Sequence, residues 1–242
     1  SIFNSPRYWE RLLSVFGFLG ATFSIYATGS YGPLLGFGFG LSVLFVFVLR
    51  RQSSRFVYVS SFLLLAGVLL ICFPLLISKF IQIASDVQVY ASGSGMGTSQ
   101  GQRLILWSIS FRETANSPFF GIGPGHLKSV LSGYCAVNRC LGDFSSFNQV
   151  HNQYFDSALN AGFIGLSGLL ITIFSPAVLF FRRLSSPSAQ VQSASVTGLA
   201  IVVAASVSML SQCLFAHNIS VISYFLTISI CWFLASQTVV DI

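Results

Sequence analysis

The sequence is poor in charged residues. Only 7% of its 242 residues are Asp, Glu, Lys or Arg, whereas 54% are hydrophobic, and a soluble domain carries about 25% charged residues. So little charge cannot cover a water-facing surface, which excludes an ordinary soluble domain. Several apolar runs are long enough to cross a bilayer. The composition therefore predicts an all-α, polytopic membrane protein, in which the net charge of +6 reports topology rather than nucleic-acid binding.

Other familiar signals are missing as well. The chain does not begin with methionine and has no cleavable signal pattern, so we expect a processed or partial chain. It contains no Ser-His-Asp pattern and no phosphate-binding P-loop. Three histidines without cysteine or carboxylate neighbours at ligand spacing make a weak case for a metal, and we expect no cofactor. Cys135 and Cys140 lie in a polar segment, where an oxidising compartment would allow a disulfide.

Six apolar runs are each close to the ~20 residues that a membrane-spanning helix needs. They divide the chain into three spans in residues 1–78, a long loop in residues 79–150, and three further spans in residues 151–242. The runs are roughly Leu12–Thr28, Pro33–Leu49, Phe56–Ser78, Phe155–Phe181, Ala194–Phe215 and Ile219–Ser236.

Arginines set the predicted orientation of these spans. Threading six spans through the membrane places seven arginines on one face, which the positive-inside rule makes cytoplasmic. The long loop then faces outward, together with all three histidines. The seven arginines are Arg7, Arg11, Arg50, Arg51, Arg55, Arg182 and Arg183.

The long loop contains a predicted helix and a glycine-rich turn. Ser92–Gly101 has the composition of a flexible linker. From Gln102 to about Ala115 the spacing of apolar residues, Trp107 among them, predicts an amphipathic helix that suits the membrane interface. Pro118 ends it. The turn from Gly121 to Gly125 could bring N–H groups to phosphate oxygens or only redirect the chain.

Polar residues recur at helical spacing where the chain re-enters apolar sequence behind His151. Asn152, Asp156 and Asn160 form a stripe along one predicted helix face, and such groups usually face a bundle interior or a wet cavity. A stripe of this kind could line a transport pathway, although the sequence shows no internal repeat of the transporter kind. Small residues in the same helix predict close helix packing; they are Ala158, Gly162, Gly165 and Gly168.

Three motifs together resemble a known family. His151-Asn152, nine residues, then Gly162-Phe163-Ile164-Gly165 resembles the signature of the O-antigen ligase and polymerase superfamily. Upstream, Arg103 and Trp107 resemble the family's Arg-x-x-x-Trp helix, and Pro118 to Gly125 resembles its glycine-rich turn. The resemblance runs from about Ala27 to the fifth span.

The resemblance implies a metal-independent, inverting glycosyltransferase of the bacterial inner membrane with its site facing the periplasm. Such enzymes move a glycan from undecaprenyl diphosphate onto lipid A core (ligases) or onto another repeat unit (polymerases). Family members usually have further spans on the N-terminal side, so we expect this chain to be a C-terminal half whose N-terminal half is a candidate partner. Membrane lipid is the other expected partner.

Two positions depart from the family pattern. Tyr31 stands where the family often has an arginine that contacts the diphosphate, and Leu166 stands where the ligase signature prefers a small residue. The choice between ligase and polymerase stays open, and a non-catalytic scaffold stays an alternative.

Chemistry assigns roles to the motif residues. Histidine, with a reference pKa near 6.5, suits a general base for an acceptor hydroxyl, and arginine pairs bidentately with phosphate oxygens. We therefore predict that His151 is the base or orients the acceptor, and that Arg103 binds the diphosphate. Further substrate contacts are expected from Arg112, Gly121, Gly123, Gly125, His126 and Asn152.

Overall fold

The computed structural model describes residues 6–27, 31–51, 77–78, 80–91, 98–138, 144 and 146–237. These ranges contain helices and turns and no strand, which confirms the all-α prediction. The helices are α1 (Pro6–Ala27), α2 (Tyr31–Arg51), α3 (80–91), α4 (Ser99–Asn116), α5 (Leu127–Asn138), α6 (Gln153–Arg183), α7 (Ala189–Ser208) and α8 (Asn218–Ser236), with a 3-10 turn at Leu214–Ala216.

Long apolar helices form a membrane bundle, as predicted. Helices α6, α7 and α8 are long and apolar enough to cross a membrane, and α1 and α2 contain the shorter apolar segments Phe16–Ile25 and Tyr31–Phe47. The predicted third run, Phe56–Ser78, lies almost wholly outside the described residues, as do the side chains of five of the seven arginines that set the orientation. The orientation therefore stays a prediction.

The predicted fifth span is too long at its C-terminal end. Helix α7 stops at Ser208, and the remainder of that run folds into a turn and the Leu214–Ala216 3-10 helix. This turn packs beside the first residues of α6. A backbone hydrogen bond joins the two: the Gln153 N–H donates to the Met209 carbonyl at 2.9 Å.

Helix α7 is the centre of the bundle and packs against α2, α6 and α8. Its contact with α2 is close because α2 presents glycines four residues apart. A Cβ at Gly36 would collide with the Ser208 hydroxyl and the Ala204 carbonyl, and a Cβ at Gly40 would lie 3.0 Å from the Ala200 carbonyl oxygen. Close backbone approach of this kind supplies van der Waals packing between helices in lipid, where no hydrophobic force drives them together.

Helix α6 is two helical segments joined at a kink. Ala161 (φ −139°, ψ 18°) and Gly162 (φ 61°, ψ −153°) leave the helical conformation, and the positive φ at Gly162 favours glycine. A Cβ there would also collide with the backbone of Pro118 and Phe119. The first glycine of the motif behind His151 is therefore required by a turn that packs against the kink.

The glycine-rich turn satisfies backbone groups that the kink leaves unpaired. The N–H groups of Ile122 and Gly123 donate to the carbonyls of Leu159 and Asn160 at 2.8 and 3.1 Å. In the opposite direction the Phe163 N–H donates to the Pro118 carbonyl at 2.7 Å. Because buried backbone groups must be paired, the turn and the kink form one unit.

Replacing Gly36 by alanine tests the α2–α7 contact. The added methyl group collides with α7, and overpacking of this kind costs about 1–3 kcal/mol. We expect Gly36→Ala to lower the Tm of the detergent-solubilised protein. Gly38→Ala is the matched control, since a Cβ there meets nothing within 4 Å among the described residues; equal Tm values for the two variants would contradict the packing.

Candidate functional site

Trp107 holds α4 against the segment that precedes His151. Its Nε1–H donates to the Val150 carbonyl at 3.0 Å, and its ring lies 5.8 Å from that of Phe155. Trp107 is half-buried, so its ring contributes to packing within the protein, and the interfacial position of α4 stays a prediction. Arg103 lies one turn earlier on the same side of α4, so the Trp107 bond also brings Arg103 towards His151.

Asn152 fixes the start of α6 immediately after His151. Its Oδ1 accepts the N–H groups of Tyr154 and Phe155 at 3.0 and 3.2 Å, and its Nδ2 donates to the Leu210 carbonyl at 3.0 Å. Asn152 is buried, and it acts as the N-cap of α6. Both ends of its amide serve the fold, which supports a positioning role, and the predicted substrate contact of Asn152 stays a prediction.

His151 has a backbone conformation that few residues adopt. Its φ of 55° is positive, a property that no other non-glycine residue shares within the described ranges, and histidine is one of the residues enriched in this region. Hydrogen bonds fix the residues on either side of it. The Val150 carbonyl accepts the Trp107 Nε1–H, and the Val150 N–H donates to the Asp156 carboxylate at 3.3 Å. On the other side, the Asn152 side chain caps α6 and donates to the Leu210 carbonyl. Strain of this sort is typical of functional sites.

The surroundings of His151 favour its neutral form. Burial is the main cause that lowers the pKa of His151, and the positive charge of Arg103 lowers it further, while a hydrogen bond with the Gln212 side chain raises it. The Phe147 ring packs edge-on against the imidazole at 5.7 Å. Nδ1 is buried and has no hydrogen-bond partner within the described ranges, so one ring nitrogen is not used by the fold.

Arg103 is a partly buried cation. Burial lowers the pKa of Arg103, yet a guanidinium stays charged at neutral pH. Among the residues that the structure describes, no carboxylate forms a salt bridge with it. Buried charges are normally paired, and an anionic ligand would complete this arrangement.

Arg112 lies elsewhere. It forms a salt bridge with Glu113 at 3.0 Å and lies over the Tyr134 ring at 5.6 Å. Nine residues separate it from Arg103, which places the two side chains on opposite sides of α4. The predicted role of Arg112 beside Arg103 therefore has no geometric support.

In the glycine-rich turn, the backbone N–H groups of Gly121 and Gly123 are already hydrogen-bonded within the protein, so they are not free to bind phosphate as predicted. The Gly121 N–H donates to the Ser117 carbonyl at 2.9 Å, and the Gly123 N–H donates to α6 as described above. Gly125 is exposed, with a φ of 85°. His126 is exposed too, and its Nδ1 lies 3.3 Å from the Gly123 carbonyl oxygen. No described contact connects His126 with His151 or Arg103.

The polar stripe on α6 also serves the fold. Asn160 donates to the Asp156 carboxylate at 3.0 Å, and the Cys213 thiol bonds to the same carboxylate. With Asn152 acting as a cap, all three stripe residues have partners inside the protein. The transport pathway that the stripe suggested therefore has no support from the described residues.

Sequence reasoning missed Gln212. It reaches His151 through the turn between α7 and α8, and no local pattern marks a residue so distant along the chain. Cys135 is disulfide-bonded, and its predicted partner, Cys140, lies outside the described residues. Within the described ranges, no three His, Cys, Asp or Glu side chains group together as metal ligands.

Comparison with known proteins connects this site to one family. The profile of the family described as O-antigen ligase matches residues 16–170, which include Arg103, the glycine-rich turn and His151. A curated protein of Haemophilus influenzae, described as an uncharacterized protein, is 25% identical over 141 residues, or 58% of this chain and 35% of that protein. The match thus spans about a third of the length of that relative.

The pKa of His151 tests the geometry of the site directly. We expect NMR titration of histidine-labelled protein to give a pKa below the usual 6.5, with the His151→Asn spectrum identifying the signal. Gln212→Leu removes the hydrogen bond that raises the pKa and should lower it further, whereas Arg103→Gln removes a repelling charge and should raise it. If neither variant shifts the titration, the three side chains do not interact as described.

Proposed function

Because this chain belongs to the O-antigen ligase family, we propose that it transfers a glycan from undecaprenyl diphosphate onto an acceptor hydroxyl at a membrane surface. The observation that carries the proposal is that the charge of Arg103 acts on His151, a neutral histidine in a strained conformation. Arg103 itself is partly buried and has no carboxylate partner among the described residues. Arg103 is suited to bind an anionic diphosphate, and His151 is suited to accept a proton from a hydroxyl.

The reaction needs a base but no enzyme nucleophile, because the donor already carries a good leaving group. The acceptor oxygen attacks the anomeric carbon, and the bond between that carbon and the diphosphate oxygen breaks. The hydroxyl proton passes to a ring nitrogen of His151 and afterwards to water or to the departing diphosphate. A lowered pKa keeps the imidazole unprotonated at neutral pH, which a base requires, and a single displacement inverts the configuration.

Arg103 stabilises the charge that grows on the departing diphosphate. Its guanidinium can bond two phosphate oxygens at once, and its burial strengthens the interaction because the local dielectric constant is low. With no carboxylate to displace among the described residues, diphosphate binding to Arg103 breaks no existing ion pair.

Tyr31 bears on the same site. It is the first residue of α2, and the next residue, Gly32, is so close to Ser211 that a Cβ would collide with the Ser211 hydroxyl. Ser211 precedes Gln212, so the start of α2 lies near the His151 segment. The family arginine that Tyr31 replaces would thus lie close to the diphosphate. In this chain we infer that Arg103 carries more of the binding.

Replacing the two proposed site residues should abolish or impair glycan transfer in membranes that contain the full-length protein. We expect His151→Ala and His151→Asn to reduce the rate about 10²–10⁴-fold, as for loss of a general base; asparagine tolerates the positive φ and so preserves the fold. Arg103→Lys should lose about 10-fold or more, because lysine cannot form two parallel hydrogen bonds to phosphate. Transfer is measured with an undecaprenyl diphosphate glycan and candidate acceptors.

His217→Ala and Arg112→Lys are the matched controls. His217 is exposed at the start of α8, Arg112 is paired on the surface, and we expect both variants to retain transfer. Wild-type rates in the His151 variants would refute the base, and wild-type rates in Arg103→Lys would refute the bidentate contact. The product identifies the reaction: glycan on lipid A core or another acceptor indicates a ligase, and longer chains on the carrier indicate a polymerase.

A further inference from the structure

Two exposed aromatic side chains lie in the glycine-rich turn, outside the membrane-spanning helices. Phe119 is 65% exposed and Phe120 is 75% exposed. Neither side chain belongs to the nearby hydrophobic core, which is built from residues of α4 and α5 together with Phe144, Val150 and Leu159. Adjacent exposed phenylalanines in a connecting segment indicate a contact surface rather than a solvated loop.

The backbone of the turn is held against a membrane span. The Phe119 backbone contacts Gly162, and the hydrogen bond from the Phe163 N–H to the Pro118 carbonyl fixes that position. Phe163 and Ile164, the next residues of α6, are 54% and 58% exposed. Two exposed apolar residues of the turn therefore follow directly on a backbone contact with the part of α6 that carries the two exposed residues of the span.

The length of α6 gives the level of this surface in the bilayer. Arg182 and Arg183 end α6 with exposed side chains, and arginines at the end of a span lie at the edge of the hydrocarbon. The helix from Gly162 to Arg183 is roughly 30 Å long at ~1.5 Å per residue, and this equals the thickness of the hydrocarbon core, ~30 Å. The kink thus lies at the opposite edge of the hydrocarbon.

We propose that Phe119 and Phe120 insert into the bilayer surface on the side of His151 and anchor the glycine-rich turn there. The occupant is lipid, because the turn is bonded to α6 at the kink, and the length of α6 puts the kink at the edge of the hydrocarbon. Phenylalanine suits such burial at the boundary between headgroups and acyl chains.

The length of α6 above the kink limits the height of the site above the membrane. The α6 segment above the kink, residues 153–160, is at most about 12 Å long, and the headgroup layer on each side is roughly 5–8 Å thick. His151, at the end of this segment, then lies no more than a few ångströms beyond the headgroups. The insertion itself does not depend on glycan transfer, and its test requires no activity.

Tryptophan substitutions test the insertion. Phe120→Trp and, separately, Phe119→Trp are placed in phospholipid vesicles whose lipids are brominated near the carbonyl end of the acyl chains, because bromine quenches tryptophan fluorescence on contact. Phe163→Trp on the membrane span is the positive control, and Ser132→Trp, exposed on α5, is the water-facing control. The quenching of the unsubstituted protein is subtracted; it arises from Trp9, Trp107 and Trp232.

We expect the added tryptophan at position 119 or 120 to be quenched at least half as strongly as the one at position 163. Quenching closer to that of Ser132→Trp in both turn variants would overturn the proposal and would show that the phenylalanine pair faces water or another protein. Both phenylalanines are exposed, so neither substitution disturbs the packed core.

Discussion

The hydrogen bond from Trp107 to the Val150 carbonyl is the contact on which the site depends. It joins a helix outside the membrane bundle to the residue that precedes His151, while the amide of Asn152 joins the following residue to the turn after α7. His151 is therefore held on one side by α4 and on the other by the bundle. The charge of Arg103 acts on the imidazole because Arg103 shares a face of α4 with Trp107.

The site combines two unfavourable features, a strained backbone and a partly buried cation. A non-glycine residue at positive φ costs roughly 1–3 kcal/mol and persists only where its surroundings fix it, as the bonds on both sides of His151 do. Arg103 is a partly buried cation with no carboxylate partner among the described residues. If a diphosphate binds there as proposed, it pairs the cation, whereas the bonds on both sides keep the His151 backbone in place before and after binding, as in a preorganised site.

Sequence patterns predicted the parts of this protein that depend on local chemistry. Composition and run length predicted the membrane bundle, Pro118 marked the end of α4, and motif spacing selected Arg103 and His151. The hydrogen-bond partners of the glycine-rich turn could not be predicted, because they depend on which carbonyls the kink in α6 leaves free. The Gly123 N–H, for example, donates to the Asn160 carbonyl, which lies next to the kink. The hydrogen bond from Trp107 to Val150 and the approach of Gln212 to His151 depend on tertiary packing, which spacing along the chain does not encode.

The central claim is that Arg103 binds the diphosphate next to His151. Its most direct test is a measurement of the pKa of His151 with and without bound diphosphate. Histidine-labelled protein is titrated by NMR with and without saturating undecaprenyl diphosphate. If the diphosphate binds Arg103, its negative charge offsets the guanidinium and stabilises the imidazolium, so the pKa of His151 should rise on binding. A pKa that stays unchanged or falls at saturation would show that the diphosphate binds elsewhere and would contradict the account.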